Sequence, residues 1–234
     1  MKDETSPNPY QAQAKILLRD FDKTVARVRN VFIDRFGAEA ASEMISTARE
    51  EYERLIPQMP YIGGKQPLTQ FIVSTAWFLA MYRALQKHGY TVADAGALVY
   101  RVSEIYINSY PAVVRQMLGH TTFSKRNLKG LRRRAVESHH SPYSDDYIFN
   151  FVEGDGVNFD FGVDYLRCAS CQFLKAQGAP ELAAWLCPID ILYSDSFGWG
   201  LRRTKTLAEG CDRCDFRFKK GGSTNVAVPA YWKV

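Results

Sequence analysis

Apolar residues at helical spacing dominate the N-terminal part of the chain, and this pattern most constrains how the chain can fold. Between Tyr10 and Phe36 apolar side chains recur every three or four residues, as on one face of a helix. Gly37 is placed as the residue that ends this helix. The same spacing and the turn residues between segments predict four further helices, at Ala38 to Ile56, Leu68 to His88, Val92 to about Ser109 and Ser124 to His140.

The character of the sequence changes near residue 142. Tyr147 to Glu153 and Asn158 to Arg167 are rich in aromatic and β-branched residues, and they flank the turn Gly154-Asp155-Gly156. We therefore predict an α+β fold in which an N-terminal helical bundle packs on a small C-terminal antiparallel sheet with short helices. The helical part spans residues 1–142 and the α+β part spans residues 143–234, together in one compact unit.

Composition limits the classes of function. Of the 234 residues, 46% are hydrophobic and 13% aromatic, which indicates an ordered globular protein. The net charge of +5 permits anionic ligands. The basic segment 125–134 lacks a nucleic-acid motif and exposed aromatic residues, so a solvated or anion-steering face is expected and nucleic acid is not an expected partner.

A membrane location is not expected either. The longest apolar run, from Phe71 to Tyr82, is too short to cross a bilayer. The first residues lack the apolar region of a signal peptide, so the expected compartment is the cytoplasm.

All five cysteines lie between residues 168 and 214. An odd number cannot pair completely, and cytoplasmic thiols remain reduced. We therefore expect catalytic, metal-binding or buried thiols in place of a disulfide framework. The segment from Arg202 to Phe218 alternates around a Gly-centred turn, which predicts a β-hairpin that carries two of these thiols.

Two Cys-x-x-Cys pairs leave a zinc site open as an alternative. These pairs are Cys168 with Cys171 and Cys211 with Cys214. Their separation is longer than in a zinc ribbon, and one pair precedes a helix while the other lies at a hairpin turn. A thioredoxin-like pair would need a βαβ pattern, which is absent. We expect no metal and no cofactor, with zinc on the cysteines as the minority alternative.

A different grouping brings Cys168, Cys187 and Cys214 around one pocket with Asp190. Cys168 precedes a short helix, whose dipole lowers the pKa of a thiol at its N-terminus. If the backbone stays helical through Pro188, Cys187 and Asp190 share one face. Such thiols can attack an electrophilic carbon while a carboxylate moves protons.

A carboxylate among apolar neighbours needs a partner if it is buried. Asp190 is flanked by Ile189, Ile191 and Leu192. Arg202 and Arg203 are the candidate partners, and a nearby arginine can also bind an anionic substrate. Buried thiols without a catalytic role remain the alternative for each single cysteine.

These residues resemble a known family, that of L-2-amino-thiazoline-4-carboxylic acid hydrolase. The resemblance extends from about Val31 to Lys220. It rests on Cys168 and four segments, which are Pro60-Tyr61-Ile62-Gly63-Gly64, Leu186-Cys187-x-x-Asp190, Arg203-Thr204-Lys205-Thr206-Leu207-Ala208-Glu209-Gly210 and Cys214-Asp215-Phe216-Arg217-Phe218.

The resemblance implies hydrolysis of a cyclic amidine to N-carbamoyl-L-cysteine. It implies catalytic roles for Cys168, Cys187, Asp190 and Cys214, with Cys187 as the first candidate for nucleophile or site acid and Asp190 as the proton carrier. Arg203 and Thr204 match the Arg-Thr of the family and are expected to bind the substrate, a small molecule with a carboxylate. Cys171 and Cys211 fall outside this pattern.

The sequence leaves a homo-oligomer open as an assembly. It also leaves two other classes of protein open. A helical part followed by a small α+β part with a Gly-Cys-x-x-Cys hairpin also resembles the small-molecule-binding domains related to vinyl reductases, which would make the protein a sensor or carrier. The second class is a structural protein with zinc on its cysteines.

Overall fold

The structure, a computed structural model, describes residues 8–63 and 67–228. Its N-terminal part consists of helices, and the bounds of the first seven are α1 Pro9–Ala12, α2 Ala14–Phe36, α3 Ala38–Leu55, α4 Thr69–Lys87, α5 Val92–Asn108, α6 Ala112–Thr122 and α7 Lys125–Ser138. A short 3₁₀ turn at Ile56–Gln58 follows α3. Gly64, the last residue of the Pro60-Tyr61-Ile62-Gly63-Gly64 segment, lies outside the described residues.

Helices α2, α3 and α4 enclose an aromatic core. Phe21 stacks on Tyr52 with ring centroids 5.3 Å apart, and both rings meet the edge of Trp77. Burial of large aromatic side chains contributes strongly to stability. The helical periodicity at the start of the chain therefore identifies real core positions.

Two predicted helix boundaries are confirmed. Gly37 separates α2 from α3 with a φ of 81°, a conformation that favours glycine. At the start of α5 the Thr91 side chain accepts from the Asp94 N–H, and the Asp94 carboxylate accepts from the Thr91 N–H. This capping box satisfies N–H groups that the first helical turn leaves free.

The C-terminal part contains a five-stranded sheet in the order β1-β2-β4-β3-β5. Its elements, in chain order, are β1 Ile148–Glu153, β2 Phe161–Arg167, α8 Ala169–Ala176, α9 Leu182–Leu186, α10 Ile189–Phe197, β3 Leu201–Arg203, β4 Cys214–Phe218 and β5 Asn225–Val226. The pairs β1–β2, β2–β4 and β3–β4 are antiparallel, whereas β5 joins β3 in parallel. The α+β prediction is confirmed, and the sheet is mixed through that one short strand.

Strand β2 begins three residues later than expected, at Phe161. The Asp155 carboxylate accepts hydrogen bonds from the N–H groups of Val157, Asn158 and Phe159, at 2.9, 2.7 and 3.2 Å. These bonds hold the chain in a local loop, which competes with strand pairing.

The basic helix α7 packs against β1. The Arg132 guanidinium binds both carboxylate oxygens of Glu153, at 2.6 and 2.7 Å, and lies 4.4 Å from the centre of the Phe151 ring. Part of the positive charge on this helix therefore holds it to the sheet.

Both parts of the chain contribute to one hydrophobic cluster, which extends from the helical bundle to Phe161 and Val163 of β2. Helix α5 meets α9 closely, because Gly96 lies against the Trp185 side chain. The helical part thus supports the segment that leads to Cys187. Across the two described ranges, no helix combines the length and apolar character needed to cross a membrane.

Candidate active site

Cys168 caps the N-terminus of α8, directly after β2. Cys171 is the third residue of the same helix. The Cys171 side chain does most to lower the pKa of Cys168, and the N–H groups of Cys171 and Ser170 add to this effect, while burial opposes it. Cys168 is therefore the thiol of this group whose ionisation its surroundings favour.

Cys171 has the opposite protonation preference. The interaction with Cys168, together with burial, raises the pKa of Cys171. The two residues form an asymmetric pair in which Cys168 ionises more readily than Cys171. Sequence reasoning placed Cys168 at a helix start and considered Cys171 only as a zinc ligand in the minority alternative.

The junction between α9 and α10 brings Cys187 and Asp190 together. Cys187 and Pro188 both have right-handed helical dihedral angles, so the condition for the two side chains to share a face is met. The Asp190 N–H donates to the Cys187 carbonyl oxygen at 3.2 Å.

Arg203, on β3, is the partner of Asp190. Its Nη1 donates to Asp190 Oδ2 and to the Cys187 carbonyl oxygen, the latter at 3.2 Å. Its guanidinium also lies 5.4 Å from the centre of the Phe216 ring. Arg202, the other candidate, is exposed. Arg203 Nε is buried and has no acceptor within residues 8–63 and 67–228, so this arginine keeps a free donor.

Burial shifts both acid groups at this junction towards their protonated forms. Burial raises the pKa of Asp190 to about 6, although the Arg203 charge opposes that shift. Burial also raises the pKa of the Cys187 thiol, again against Arg203. Asp190 can therefore exchange a proton near neutral pH, whereas Cys187 stays a thiol.

Cys214 opens β4 and faces the loop after β3. The Leu207 N–H donates to its sulfur at 3.2 Å. Burial raises the pKa of Cys214 to about 11. Cys214 is thus a protonated, buried thiol that contacts the loop following Arg203.

The Thr-Leu-Ala-Glu-Gly segment of that loop forms a compact turn. The Thr206 hydroxyl bonds to the Glu209 carboxylate at 2.7 Å and accepts from the Glu209 N–H at 3.2 Å. Gly210 ends the turn with a φ of 83°. This local geometry explains why these residue types occur in this order after Arg203.

Thr204 lies apart from the thiols. Its hydroxyl donates to Asp215 at 2.6 Å, and the N–H groups of Thr204 and Lys205 donate to the same carboxylate at 2.8 and 2.6 Å. The side chain is exposed. Its expected contact with a substrate stays a prediction.

Two tyrosines that sequence reasoning missed border the cluster. Tyr165 of β2 lies opposite Cys214 in the strand register. Burial raises its pKa, and the nearby Cys168, Asp190 and Cys214 add to that shift. Tyr147 has a similarly raised pKa, mainly from burial and then from Cys168, and its hydroxyl lies 2.7 Å from Ser170 Oγ. The alternation Phe161, Val163, Tyr165 was the signal that could have placed the Tyr165 phenol on the inward face of the sheet.

The side chains of the candidate site are only partly accessible. Cys168, Cys171 and Cys187 are half-buried, and Asp190 keeps 35% of its side chain accessible. Burial nevertheless disfavours charge on Cys187 and Asp190. In the described ranges, no three His, Cys, Asp or Glu side chains are arranged to hold a metal ion.

Two depressions lie beside α7 on the surface, with volumes of about 670 and 690 Å³. The second is lined by the cations Arg126, Lys129, Arg133 and Arg134. Neither is lined by a cysteine. The candidate nucleophiles therefore lie outside these depressions.

Comparison with protein families gives one match, to the model described as L-2-amino-thiazoline-4-carboxylic acid hydrolase, over residues 70–218. The chain belongs to this hydrolase family. The matched segment of the family runs from α4 to the end of β4 and contains all five cysteines, Asp190 and Arg203. The Pro60-Tyr61 segment, which also resembled the family, lies before it. Neither the curated proteins nor the solved structures contain a match to the chain.

Proposed function

We propose that this family member hydrolyses a cyclic amidine that bears a carboxylate, such as L-2-amino-thiazoline-4-carboxylate, to N-carbamoyl-L-cysteine. One observation carries the proposal: Cys168, whose pKa is lowered, lies near the Asp190–Arg203 pair, inside the segment that matches the family. A nucleophile and a proton carrier are the two groups this reaction needs.

Cys168 is the nucleophile in this proposal. Cys187 stays a protonated thiol and borders the site without reacting. The Cys168 sulfur attacks the ring carbon that is bonded to two nitrogens and a sulfur. The ring carbon–sulfur bond then breaks, and the ring sulfur leaves as a thiolate. The product of this step is an amidine carbon covalently attached to Cys168.

Asp190 serves the second step. It takes a proton from water as the water oxygen bonds to the same carbon, and the Cys168 thiolate departs. Asp190 then gives that proton to the thiolate of the opened ring. One water molecule is consumed, the carbon becomes the carbonyl of a urea group, and an amidinium substrate releases its extra proton to solvent. A carboxylate with a pKa of about 6 is suited to this exchange.

Arg203 supplies the positive charge for the substrate carboxylate. Its Nη1 is occupied by Asp190 and by the Cys187 carbonyl, but its buried Nε–H has no acceptor in the part of the chain that the structure describes. A buried donor without an acceptor costs free energy that a bound carboxylate would recover. Thr204 is proposed as a second substrate contact, and the mechanism uses no cofactor.

Acid quenching during turnover traps the covalent intermediate and so tests whether Cys168 is the nucleophile. The protein is mixed with L-2-amino-thiazoline-4-carboxylate, quenched, digested and analysed by mass spectrometry, with Cys211→Ser as the matched control. We expect the amidine adduct on Cys168 in both proteins, together with release of a thiol product. An adduct confined to Cys187 would refute the choice of nucleophile. Saturable binding without thiol release would favour a sensor or carrier instead.

A further inference from the structure

In the proposed hydrolysis the Cys171 sulfur forms no covalent bond. Cys171 nevertheless lies beside Cys168, within the first turn of α8. A serine could occupy this position and lower the pKa of Cys168 without the chemical reactivity of a thiol. The choice of a second cysteine at this position therefore calls for a reaction of its own.

The positions of the two residues suit a disulfide. Cys168 is the N-cap of α8, and Cys171 is the third residue of that helix. The side chains of an N-cap residue and the third helical residue lie together, as they do in a capping box. The two sulfurs also interact strongly enough to shift each other's pKa, which agrees with these positions. Both side chains are partly accessible, so a small reagent can reach them.

We propose that Cys168 and Cys171 form a reversible intramolecular disulfide when the protein meets a small disulfide oxidant, and that this modification stops the hydrolysis. The second half of the statement rests on the proposed function, because it requires the Cys168 sulfur as nucleophile. The first half concerns only the two thiols. Cys-x-x-Cys pairs at helix starts are a setting in which such exchange occurs readily.

The reaction is two successive thiol–disulfide exchanges. The Cys168 thiolate attacks the oxidant, forms a mixed disulfide and releases one oxidant thiolate. The Cys171 sulfur then attacks the Cys168 sulfur, its proton passes to the departing second oxidant thiolate, and the internal disulfide results. Two protein sulfurs lose two electrons in total, and one oxidant disulfide gains them to become two thiols.

Cys187 and Cys214 are the competing partners, because both lie near Cys168. Burial keeps both as thiols, and both belong to other elements, at the end of α9 and at the start of β4. Cys171 lies within the first turn of the helix that Cys168 begins. Only the Cys168–Cys171 disulfide therefore forms within a single helical turn.

The test treats the intact protein with oxidised glutathione and follows both mass and activity. We expect wild type to lose two hydrogens, with Cys168 linked to Cys171 in the peptide map, and to regain its initial rate with dithiothreitol. Cys171→Ser keeps a hydrogen-bond donor but cannot close the ring, so it should instead retain one glutathione on Cys168. Cys211→Ser should behave as wild type.

The outcomes separate the two proposals. A stable glutathione adduct on wild type, or a disulfide from Cys168 to Cys187 or Cys214, would overturn the pairing whether or not the protein turns over the amidine. A Cys168–Cys171 disulfide that leaves hydrolysis at its initial rate would confirm the modification and refute both its inhibitory effect and the thiolate mechanism. Absence of hydrolysis before treatment would count against the proposed function alone.

Discussion

Arg203 and Asp190 form an ion pair whose partners differ sharply in exposure. The arginine side chain is 2% accessible, and the aspartate side chain is 35% accessible. The buried cation extends from β3 and is held by Asp190, the Cys187 carbonyl and the Phe216 ring. Arg203 thus anchors the pair, and Asp190 is the more accessible of the two residues to water.

Replacement of Arg203 by glutamine should destabilise the fold. The change leaves Asp190 without its cation and the Cys187 carbonyl without a donor. Breaking a buried pair costs about 3–5 kcal/mol, and we expect the lower end because Asp190 keeps access to solvent. Urea unfolding measures the effect, and Arg202→Gln, an exposed change on the same strand, should stay within about 0.5 kcal/mol of wild type. Equal losses in both variants would contradict the anchoring role.

The rate of hydrolysis should rise with pH through about 6, where Asp190 loses its proton. The carboxylate form is the one that accepts a proton from water, so the protonated enzyme is inactive in that step. The measurement is kcat/KM across this range. Asp190→Asn should lose most of the rate together with this acid limb. An unchanged acid limb in Asp190→Asn would show that another group titrates.

The role of Thr204 can be determined by comparing variants of Thr204 and of Asp215, its hydrogen-bond partner. Its hydroxyl donates to Asp215 at 2.6 Å, so Thr204→Val should cost about 1 kcal/mol of stability. If the residue also binds substrate, Thr204→Val should raise KM more than Asp215→Asn does, because the asparagine variant keeps the hydroxyl. Identical KM values in the two variants would restrict Thr204 to holding the loop.

Gly96 should not tolerate a side chain. A Cβ at this position would lie 2.4 Å from the Trp185 ring, which belongs to the helix before Cys187. Gly96→Ala should therefore cost about 1–3 kcal/mol through overpacking. Gly130→Ala is the control, since its Cβ would meet only Arg134 Nη1, at 3.5 Å. That change should stabilise α7 by up to about 1 kcal/mol, and a similar loss in both variants would contradict close α5–α9 packing.

Local patterns predicted much of the helical part. The buried residues Leu18, Phe21, Val28 and Phe32 follow the helical spacing, and the Thr91–Asp94 box marks the start of α5. Such features depend on neighbours a few residues apart. The parallel strand β5 pairs with Arg202 and Arg203 of β3, which are distant in the sequence. No local sequence pattern predicted this strand.

Local patterns also predicted only part of the candidate site. Helical spacing predicted that Cys187 and Asp190 share a face, and the need to compensate a buried charge predicted an arginine partner for Asp190. The sequence did not predict the protonation states of the cysteines and of Asp190, because these depend on contacts across the fold. Cys171 lies beside Cys168 and stabilises it, whereas Cys187, the first candidate nucleophile, is held as a thiol by burial. Tyr165 likewise lies beside the cysteines only because the β2–β4 register sets it opposite Cys214.

Turnover of L-2-amino-thiazoline-4-carboxylate by wild type, Cys168→Ser and Cys211→Ser tests the central claim most directly. The readout is formation of N-carbamoyl-L-cysteine under identical conditions. We predict equal rates for wild type and Cys211→Ser, and a loss of at least about 1,000-fold for Cys168→Ser, as is usual when a covalent nucleophile is removed. A Cys168→Ser enzyme that works at the wild-type rate would contradict the account.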